Sequence, residues 1–167
     1  MNQQLSLRWR APRSAPQCFS SSPVHLGQLL HFLSSAFEQR TLAKCHQRGH
    51  RKFRGSHSAV IAQLDAHGLC LGELAERIGI SQQATGKLVR DLERAGYLES
   101  HPDSRDKRSR IILLTASGLV LQSDIDDILR EIRDEYREIL GAPGLQNFEQ
   151  QLRNTADALT REKLSSC

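Results

Sequence analysis

Several motifs of catalytic chemistry are missing from this sequence. It has no Gly-rich phosphate loop, no nucleophile elbow, no H-E-x-x-H metal motif and no pair of acidic residues in an enzyme-like setting. The seven His residues are scattered along the chain and share no motif. The sequence therefore predicts a protein that is not an enzyme and that carries no cofactor.

Long apolar runs are also absent. Hydrophobic residues make up 38% of the 167 residues, and no run approaches the roughly 20 residues that cross a bilayer. The early residues Arg8, Arg10 and Arg13 are not followed by the apolar core of a secretory signal. The Pro, Ser and Arg content of residues 1–22 is typical of a flexible arm. We expect a soluble, cytoplasmic protein with no membrane partner.

Cysteine is scarce and unpaired. The chain has four widely separated cysteines and no C-x-x-C pair, which argues against a structural zinc site or a thioredoxin-like site. The closest approach to ligand spacing is Cys45, His46 and His50, but the run around them is basic and would repel a cation. We therefore predict no metal site.

Charge is sorted along the chain. Residues 1–60 hold nine Lys or Arg and one acid, residues 61–118 hold eight of each, and residues 119–167 hold six bases and ten acids. The three net charges of +8, 0 and −4 add to the chain's +4. Such sorting indicates that one end meets a polyanion and the other end something else. A solvated surface of uneven charge explains it equally well.

Apolar residues at spacings of three and four predict helices on both sides of a Gly-interrupted centre. One amphipathic helix runs from Pro23 to about Cys45, and a second begins at Ser56, its expected N-cap, and stops at Gly68. Towards the end of the chain, two further amphipathic stretches are separated by Gly-Ala-Pro-Gly at residues 141–144. The outer helices are more apolar than one small domain can cover, so we expect a second copy of the chain to bury them.

The centre of the chain has the order of a helix-turn-helix. Residues 71–79, LGELAERIG, predict a short helix that ends at Gly79. Ser81 then provides the N-cap of a second helix that ends at Gly96. The residues expected on its inward face are Ala84, Thr85, Leu88 and Leu92. A helix, a tight turn and a helix in this order are typical of DNA-binding domains.

Two strands joined by a basic loop come next. Residues 97–100 and 110–115 are β-prone, and the loop between them is polar and turn-prone. The predicted fold class is therefore mostly α with a small β-wing, a winged helix-turn-helix. The charged residues of the wing are Asp103, Arg105, Asp106, Lys107, Arg108 and Arg110. A basic wing tip can enter the minor groove of DNA. A plain polar hairpin loop is the alternative.

The outward face of the second helix suits the major groove of DNA. The positions expected on this face are Gln82, Gln83, Gly86, Lys87 and Arg90. Gln can pair with adenine and Lys with guanine, whereas Arg90 and the capping Ser81 are better placed for phosphates. A Gly at position 86 would let the backbone approach the bases closely. A tolerated Gly on a solvated face is the alternative.

Three segments carry a resemblance to a known family. They are LGELAERIGIS, KLVRDLERAGYLE and the wing stretch DSRDKRSRIILLTASG, and they fall within residues 56–122. Here the sequence resembles the MarR (multiple antibiotic resistance regulator) family of transcription factors. The resemblance implies a homodimer that binds a pseudo-palindromic DNA operator as a repressor. It also implies release by a small phenolic or other anionic ligand, or by oxidation. Gln82, Gln83, Lys87 and Arg108 fall on the family's DNA-contacting positions, and Asp106 falls on its wing Asp.

The resemblance also implies places for a control signal. The family's ligand cavity lies between the dimer helices and the winged domain, where His31, Phe37 and His57 are the candidate ligand contacts. Cys18 lies near the place of the family's oxidation-sensitive cysteine. The basic segment 46–55 departs from the short link of many relatives. Its cations are expected to contact phosphate or an anionic partner, with a solvated loop as the alternative, and they are Arg48, Arg51, Lys52 and Arg54.

These features divide the chain into four parts. A flexible arm, 1–22, precedes a dimerisation helix with its basic link, 23–55. The DNA-binding winged domain, 56–118, precedes the C-terminal dimerisation helices, 119–167. A winged-helix module that binds another protein instead of DNA is the alternative function, but it leaves the clustered wing arginines unexplained.

Overall fold

A computed structural model describes residues 25–65, 67–102 and 110–165, with side chains up to residue 161. The chain divides into two compact units, Met1–Ser35 and Ala36–Cys167. The first helix, α1, spans Leu26–Gln47, as the apolar spacing predicted. None of the described helices is both long enough and apolar enough to span a membrane.

The second unit contains the remaining elements. In chain order they are a 3₁₀ turn at Gly55–His57, α2 at Ser58–Gln63, β1 at Leu69–Cys70, α3 at Leu71–Ile78, α4 at Gln82–Ala95, β2 at Leu98–Pro102, β3 at Arg110–Leu114 and α5 at Ala116–Ser165. The antiparallel sheet has the order β1-β3-β2, with Leu98 opposite Leu114 and Leu69 opposite Ile112. The predicted winged helix-turn-helix fold is confirmed. The short strand β1 was not predicted from the sequence.

The turns of the helix-turn-helix form as expected. The Ser81 hydroxyl oxygen accepts the backbone N–H of Ala84 at 3.2 Å and so caps α4. Gly79 and Gly96 follow α3 and α4 with φ of 77° and 87°, the left-handed conformation that glycine adopts without steric cost. These turns fix the position of α4 against α3 and the sheet.

The second helix differs from its prediction at both ends. Ser56 is not its N-cap, because the 3₁₀ turn occupies this place and His57 Nδ1 accepts the backbone N–H of Arg54 at 3.2 Å. The helix ends at Gln63 and not at Gly68. Its last carbonyls are satisfied by α5 instead, since Gln122 Nε2 donates to the carbonyl oxygens of Ile61 and Leu64 at 3.3 and 2.9 Å.

Apolar side chains from every helix of the second unit and from the sheet form one core. Its fully buried members include Cys45, Val60, Ile61, Leu74, Leu92, Leu121, Ile128 and Ile132. The predicted break at residues 141–144 is confirmed, since Gly141 has non-helical φ and ψ of 71° and 161° and divides α5 into two helical parts. Arg133 and Glu149 pair across this break, with Nε–Oε1 and Nη2–Oε2 distances of 2.6 and 3.1 Å.

The last five residues of the wing stretch, LTASG at positions 114–118, join the end of α4 to the start of α5. The Thr115 hydroxyl donates to the Gly96 carbonyl at 2.7 Å and accepts the backbone N–H of Gly118 at 3.1 Å. A Cβ at Gly118 would lie 2.1 Å from the carbonyl oxygen of Tyr97. This part of the motif is therefore a packing junction and needs a residue without a side chain.

The basic end of α1 is paired with the acidic first half of α5. Lys44 Nζ lies 2.7 Å from a Glu131 oxygen, and the guanidinium of Arg48 bonds both Glu131 and Asp124. His50 Nε2 lies 2.8 Å from Asp124 Oδ2. Part of the charge that is separated in sequence is thus neutralised in the fold. Arg48, one of the cations expected to contact phosphate or an anionic partner, is therefore paired within the chain.

Candidate nucleic-acid interface

One face of α4 is exposed and basic. Gln83, Lys87, Arg90 and Arg94 recur at spacings of four, three and four, and all are exposed. Residues at this spacing lie on one face of a helix. The opposite face is buried and consists of Thr85, Gly86, Val89 and Leu92. Helix α4 therefore has one exposed face that is polar and positively charged and an opposite face that packs into the domain.

The predicted orientation of α4 was wrong at two positions. Ala84 was expected to face inward and is exposed, whereas Gly86 was expected to face outward and is buried. A Cβ at Gly86 would lie 3.7 Å from Leu71 Cδ2 of α3 and 3.4 Å from Arg90 Nη1. Gly86 therefore lies beneath the guanidinium of Arg90. The approach of its backbone to bases stays a prediction.

The two glutamines have different surroundings. Gln82 Nε2 lies 3.4 Å from the place of a Cβ on Gly72, so its amide is directed back towards α3. Gln83 shares the exposed face of Lys87 and Arg90. Ser81 uses its hydroxyl oxygen in the helix cap, which leaves its O–H free to donate outward. Gln83 is thus the better placed of the two amides to meet a groove.

The cations of this face differ from those of α1 in their pairing. Within the described ranges, neither Lys87 nor Arg90 forms an ion pair, whereas Arg94 pairs with Asp91 one turn earlier on the same helix. Sequence reasoning missed Arg94 because it considered only the first half of α4. The spacing of four from Arg90 is the signal that would have found it.

A groove of about 560 Å³ separates α4 from α3 and the sheet. It is lined by residues from all three, including Gln82, Gly86, Arg90, Glu93, Ser100 and Arg110. The guanidinium of Arg110 donates to the Ser100 carbonyl at 2.5 Å, so this wing cation is held across the two strands. The predicted wing contacts Arg105, Asp106, Lys107 and Arg108 lie outside the described residues.

Comparisons with known proteins agree on one family. A model described as the MarR family matches residues 53–109. The chain is 36% identical over 78 residues to the transcriptional activatory protein BadR of Rhodopseudomonas palustris, which covers 46% of this chain and 42% of BadR. It is 30% identical over 109 residues to the HTH-type transcriptional regulator PetP of Rhodobacter capsulatus, which covers 65% of each. Residues 53–109 of this chain are thus similar to the MarR family.

The fold of MarR proteins extends beyond the segment that the family model matches. The structure of Staphylococcus aureus MepR bound to DNA superposes with a TM-score of 0.68 at 21% identity and covers 82% of this chain and 99% of that one. The chain spans less than two thirds of the length of either BadR or PetP. Neither these relatives nor the family itself is enzymatic, as the sequence predicted.

An apolar cavity of about 360 Å³ lies among α1, α2 and α5. The predicted ligand contact Phe37 is among its lining residues, together with Thr41, Leu42, Phe53, Ile61, Gln122, Ile125 and Leu129. Glu38 and Asp126 are also among its lining residues, and no Lys, Arg or His of the described ranges is among them. His57 does not line this cavity but a separate basic pocket, and His31 is an exposed residue of the first unit.

The described cysteines do not resemble the redox cysteine that the family resemblance implied. Cys45 is fully buried, and burial raises the pKa of its thiol, so the reactive thiolate is disfavoured. The Cys70 sulfur accepts the backbone N–H of Glu73 and caps α3. Cys18, the residue named for oxidation, lies outside the part of the chain that the structure describes.

Proposed function

We propose that this protein is a cytoplasmic transcriptional regulator that reads DNA with the exposed face of α4. The observation that carries the proposal is the positive charge of Lys87 and Arg90, which form no ion pair with any described residue, on a helix whose other face is packed into the domain. An exposed helix of this kind fits the major groove. Gln83 and Lys87 are assigned to base edges, and Arg90 and Ser81 are assigned to phosphates.

The experiment that tests DNA reading is selection of binding sites from random duplexes. A two-fold symmetric consensus supports the proposal, and equal affinity for all duplexes overturns it. With the selected site, Gln83→Ala should lose about 1–3 kcal/mol and relax one base position. Arg90→Gln should weaken all sequences alike and reduce the salt dependence by about one phosphate contact. The matched control is Arg130→Gln, an exposed Arg of α5 outside this face.

The wing is assigned to the minor groove on the strength of its sequence. Arg108→Ala should weaken operator binding by about 1–3 kcal/mol, as expected for a groove-reading Arg. Asp106 is assigned to hold a neighbouring guanidinium, so Asp106→Asn should weaken binding although it removes a negative charge. Stronger binding of this variant would show that Asp106 only repels DNA.

We further propose that two copies of the chain associate through their outer helices. Large apolar side chains are exposed on both terminal parts, which is unusual for a monomer surface unless a partner covers them. In the first unit they are Leu26, Leu29, Leu30 and Leu33, and in the second they are Ile139, Leu140, Phe148, Leu152 and Leu159. A homodimer would set two copies of α4 about 34 Å apart, one turn of DNA.

Sedimentation of the purified chain tests the dimer. Leu152→Lys and Leu159→Lys should each shift the protein towards monomer and weaken operator binding. Asn147→Lys is the matched control, because Asn147 is an exposed polar residue of the same helical part. A wild-type chain that sediments as a monomer at micromolar concentration would contradict this part of the proposal.

The apolar cavity is assigned to an effector that controls DNA binding. With Glu38 and Asp126 among its lining residues and no cation among those that the structure describes, it suits a neutral or cationic apolar molecule. The anionic effector implied by the family resemblance fits it poorly, because a buried carboxylate needs a paired charge. We retain the prediction of a repressor that such an effector releases. The relative BadR is named for activation, so a promoter assay must set the direction.

Three isosteric probes test the charge of the effector. Benzamidine and benzamide should raise the melting temperature, and benzoate should not. Leu129→Trp, which fills the cavity, should abolish the response, whereas Leu119→Trp on the exposed side of α5 should leave it intact. A larger response to benzoate would show that the lining carboxylates do not select the ligand.

A further inference from the structure

The loop between α1 and α2 is anchored from its inner side and presents cations on its outer side. Phe53 is only 2% exposed, and the ring of His46 donates to its carbonyl oxygen at 2.9 Å. The His50 backbone N–H returns to the Cys45 carbonyl at 3.0 Å. These contacts hold the loop backbone in place, so the Cα atoms of the exposed side chains beside them are fixed as well. They are Arg51, Lys52 and Arg54.

These cations surround a pocket of about 380 Å³ between the loop and the second half of α4. Its lining consists of Arg51, Lys52, Arg54, His57, Asp91, Arg94 and Ala95. The one carboxylate among them, Asp91, is already paired with Arg94. Over the described ranges, no ion pair involves the three loop cations, in contrast to the neighbouring Arg48. The pocket therefore holds a positive charge that the described residues do not neutralise.

His57, one of the residues that line this pocket, carries a buried hydrogen-bond donor. His57 is 2% exposed, and its Nδ1 accepts the Arg54 N–H, so the ring proton of the neutral imidazole lies on Nε2. Burial, and next the charge of Arg54, lower the pKa of His57 and keep the ring neutral. Among the described residues, Nε2 has no hydrogen-bond partner. A buried donor without an acceptor costs about 1–3 kcal/mol, which a bound acceptor would recover.

We propose that this pocket binds a phosphate-type oxyanion, with the Nε2–H of His57 as its buried donor and the three loop cations as its counter-charges. Guanidinium groups suit this ligand because their parallel N–H donors match two oxygens of a phosphate. The phosphate can be free, as an inorganic ion or a small phosphate ester, or it can belong to a DNA backbone. The second source rests on the proposed DNA-binding function, whereas the first does not.

Titration of the whole chain with inorganic phosphate and with phenyl phosphate tests the site. Ionic strength is held constant with chloride, and calorimetry is combined with the ¹⁵N resonances of the His57 ring. We expect saturable binding that shifts the Nε2 resonance. His57→Gln and Arg54→Gln should each weaken binding at least tenfold, and Arg130→Gln should leave it unchanged. If His57→Gln fails to fold, Lys52→Gln serves instead, since Lys52 is exposed.

A DNA arm separates the two sources. If a duplex shifts the same His57 resonance and phosphate competes with it, the occupant is a backbone phosphate. If the free anions bind and a duplex neither shifts that resonance nor competes, the occupant is a free phosphate compound. The proposal is overturned if neither the anions nor a duplex affects His57, or if binding is equal in wild type and in all pocket variants. Loss of DNA binding alone contradicts the proposed function and leaves the result with free phosphate standing.

Discussion

Two helical glycines that look alike in sequence should respond oppositely to alanine. Gly86 lies within α4 and Gly118 in the first turn of α5. At Gly86 the added Cβ would meet Leu71 Cδ2 at 3.7 Å and Arg90 Nη1 at 3.4 Å, which are ordinary contacts. The Arg90 head group is also the end of a flexible side chain. Alanine is favoured over glycine in a helix by about 1 kcal/mol. We expect Gly86→Ala to stabilise the fold by up to this amount.

At Gly118 the same methyl group meets the backbone. Its Cβ would lie 2.1 Å from the carbonyl oxygen of Tyr97 and 3.2 Å from the carbonyl carbon. This carbonyl cannot move away freely, because it accepts the Thr115 N–H at 3.0 Å. Forced overpacking costs about 1–3 kcal/mol and sometimes more, and it exceeds the gain in helix propensity here. Since both variants gain the same helix propensity, they should differ in free energy of unfolding by this overpacking cost, about 1–3 kcal/mol.

Urea unfolding followed by circular dichroism measures both variants against wild type. A gain of about 1 kcal/mol in Gly86→Ala corresponds to a rise in melting temperature of about 2–4 °C in a chain of this size. The reasoning is refuted if Gly86→Ala loses stability or if Gly118→Ala keeps the wild-type value. Gly86→Ala also tests the hypothesis that the backbone at Gly86 approaches DNA. If it folds stably and loses operator affinity while Arg90→Gln does not, the backbone at Gly86 does approach DNA.

Two further predictions concern the junctions around α5. The pKa of Asp124 is lowered, chiefly by its hydrogen bond with His50, and that of Glu131 is lowered, chiefly by Lys44. Their contribution to stability is complete above the ordinary carboxyl values of 3.8 and 4.5 and is lost as pH falls through the lower folded values. Urea unfolding between pH 6 and 3 should show this loss, and Asp124→Asn should reduce it. Thr115→Val removes one donor and one acceptor and should cost about 1–2 kcal/mol in the same assay.

The parts of the fold that the sequence predicted well are those set by local chemistry. Ser81 caps α4, Gly79 and Gly96 adopt left-handed turns, and the break in the last helix lies at Gly141. Each depends on one residue and its immediate neighbours. The prediction for the start of α2 was wrong. A hydrogen bond from the Arg54 backbone N–H to the ring of His57 forms there and takes the place of the expected Ser cap.

The predicted orientation of α4 was wrong for a different reason. A glycine has no side chain whose polarity could assign it to either face, so Gly86 was compatible with both. The prediction also passed over Val89, one turn after Gly86, although Val89 is buried and Ala84 is exposed. If the larger apolar residue Val89 is placed on the inward face instead of Ala84, the predicted buried face of α4 turns towards the observed one. The error was therefore in the weighting of apolar residues and not in the choice of a helix.

The number of cations in a segment does not show which of them are available to bind an anion. The loop between α1 and α2 looked like one basic run, yet Arg48 is held by Asp124 and Glu131, which are more than 70 residues away in sequence, whereas Arg51 and Arg54 line an open pocket. Only the fold decides which cations meet acids. Among the described residues, the cations without an ion pair include Arg51 and Arg54 of the loop and Lys87 of α4, whereas the charge of Lys44 and Arg48 stabilises the contact with α5.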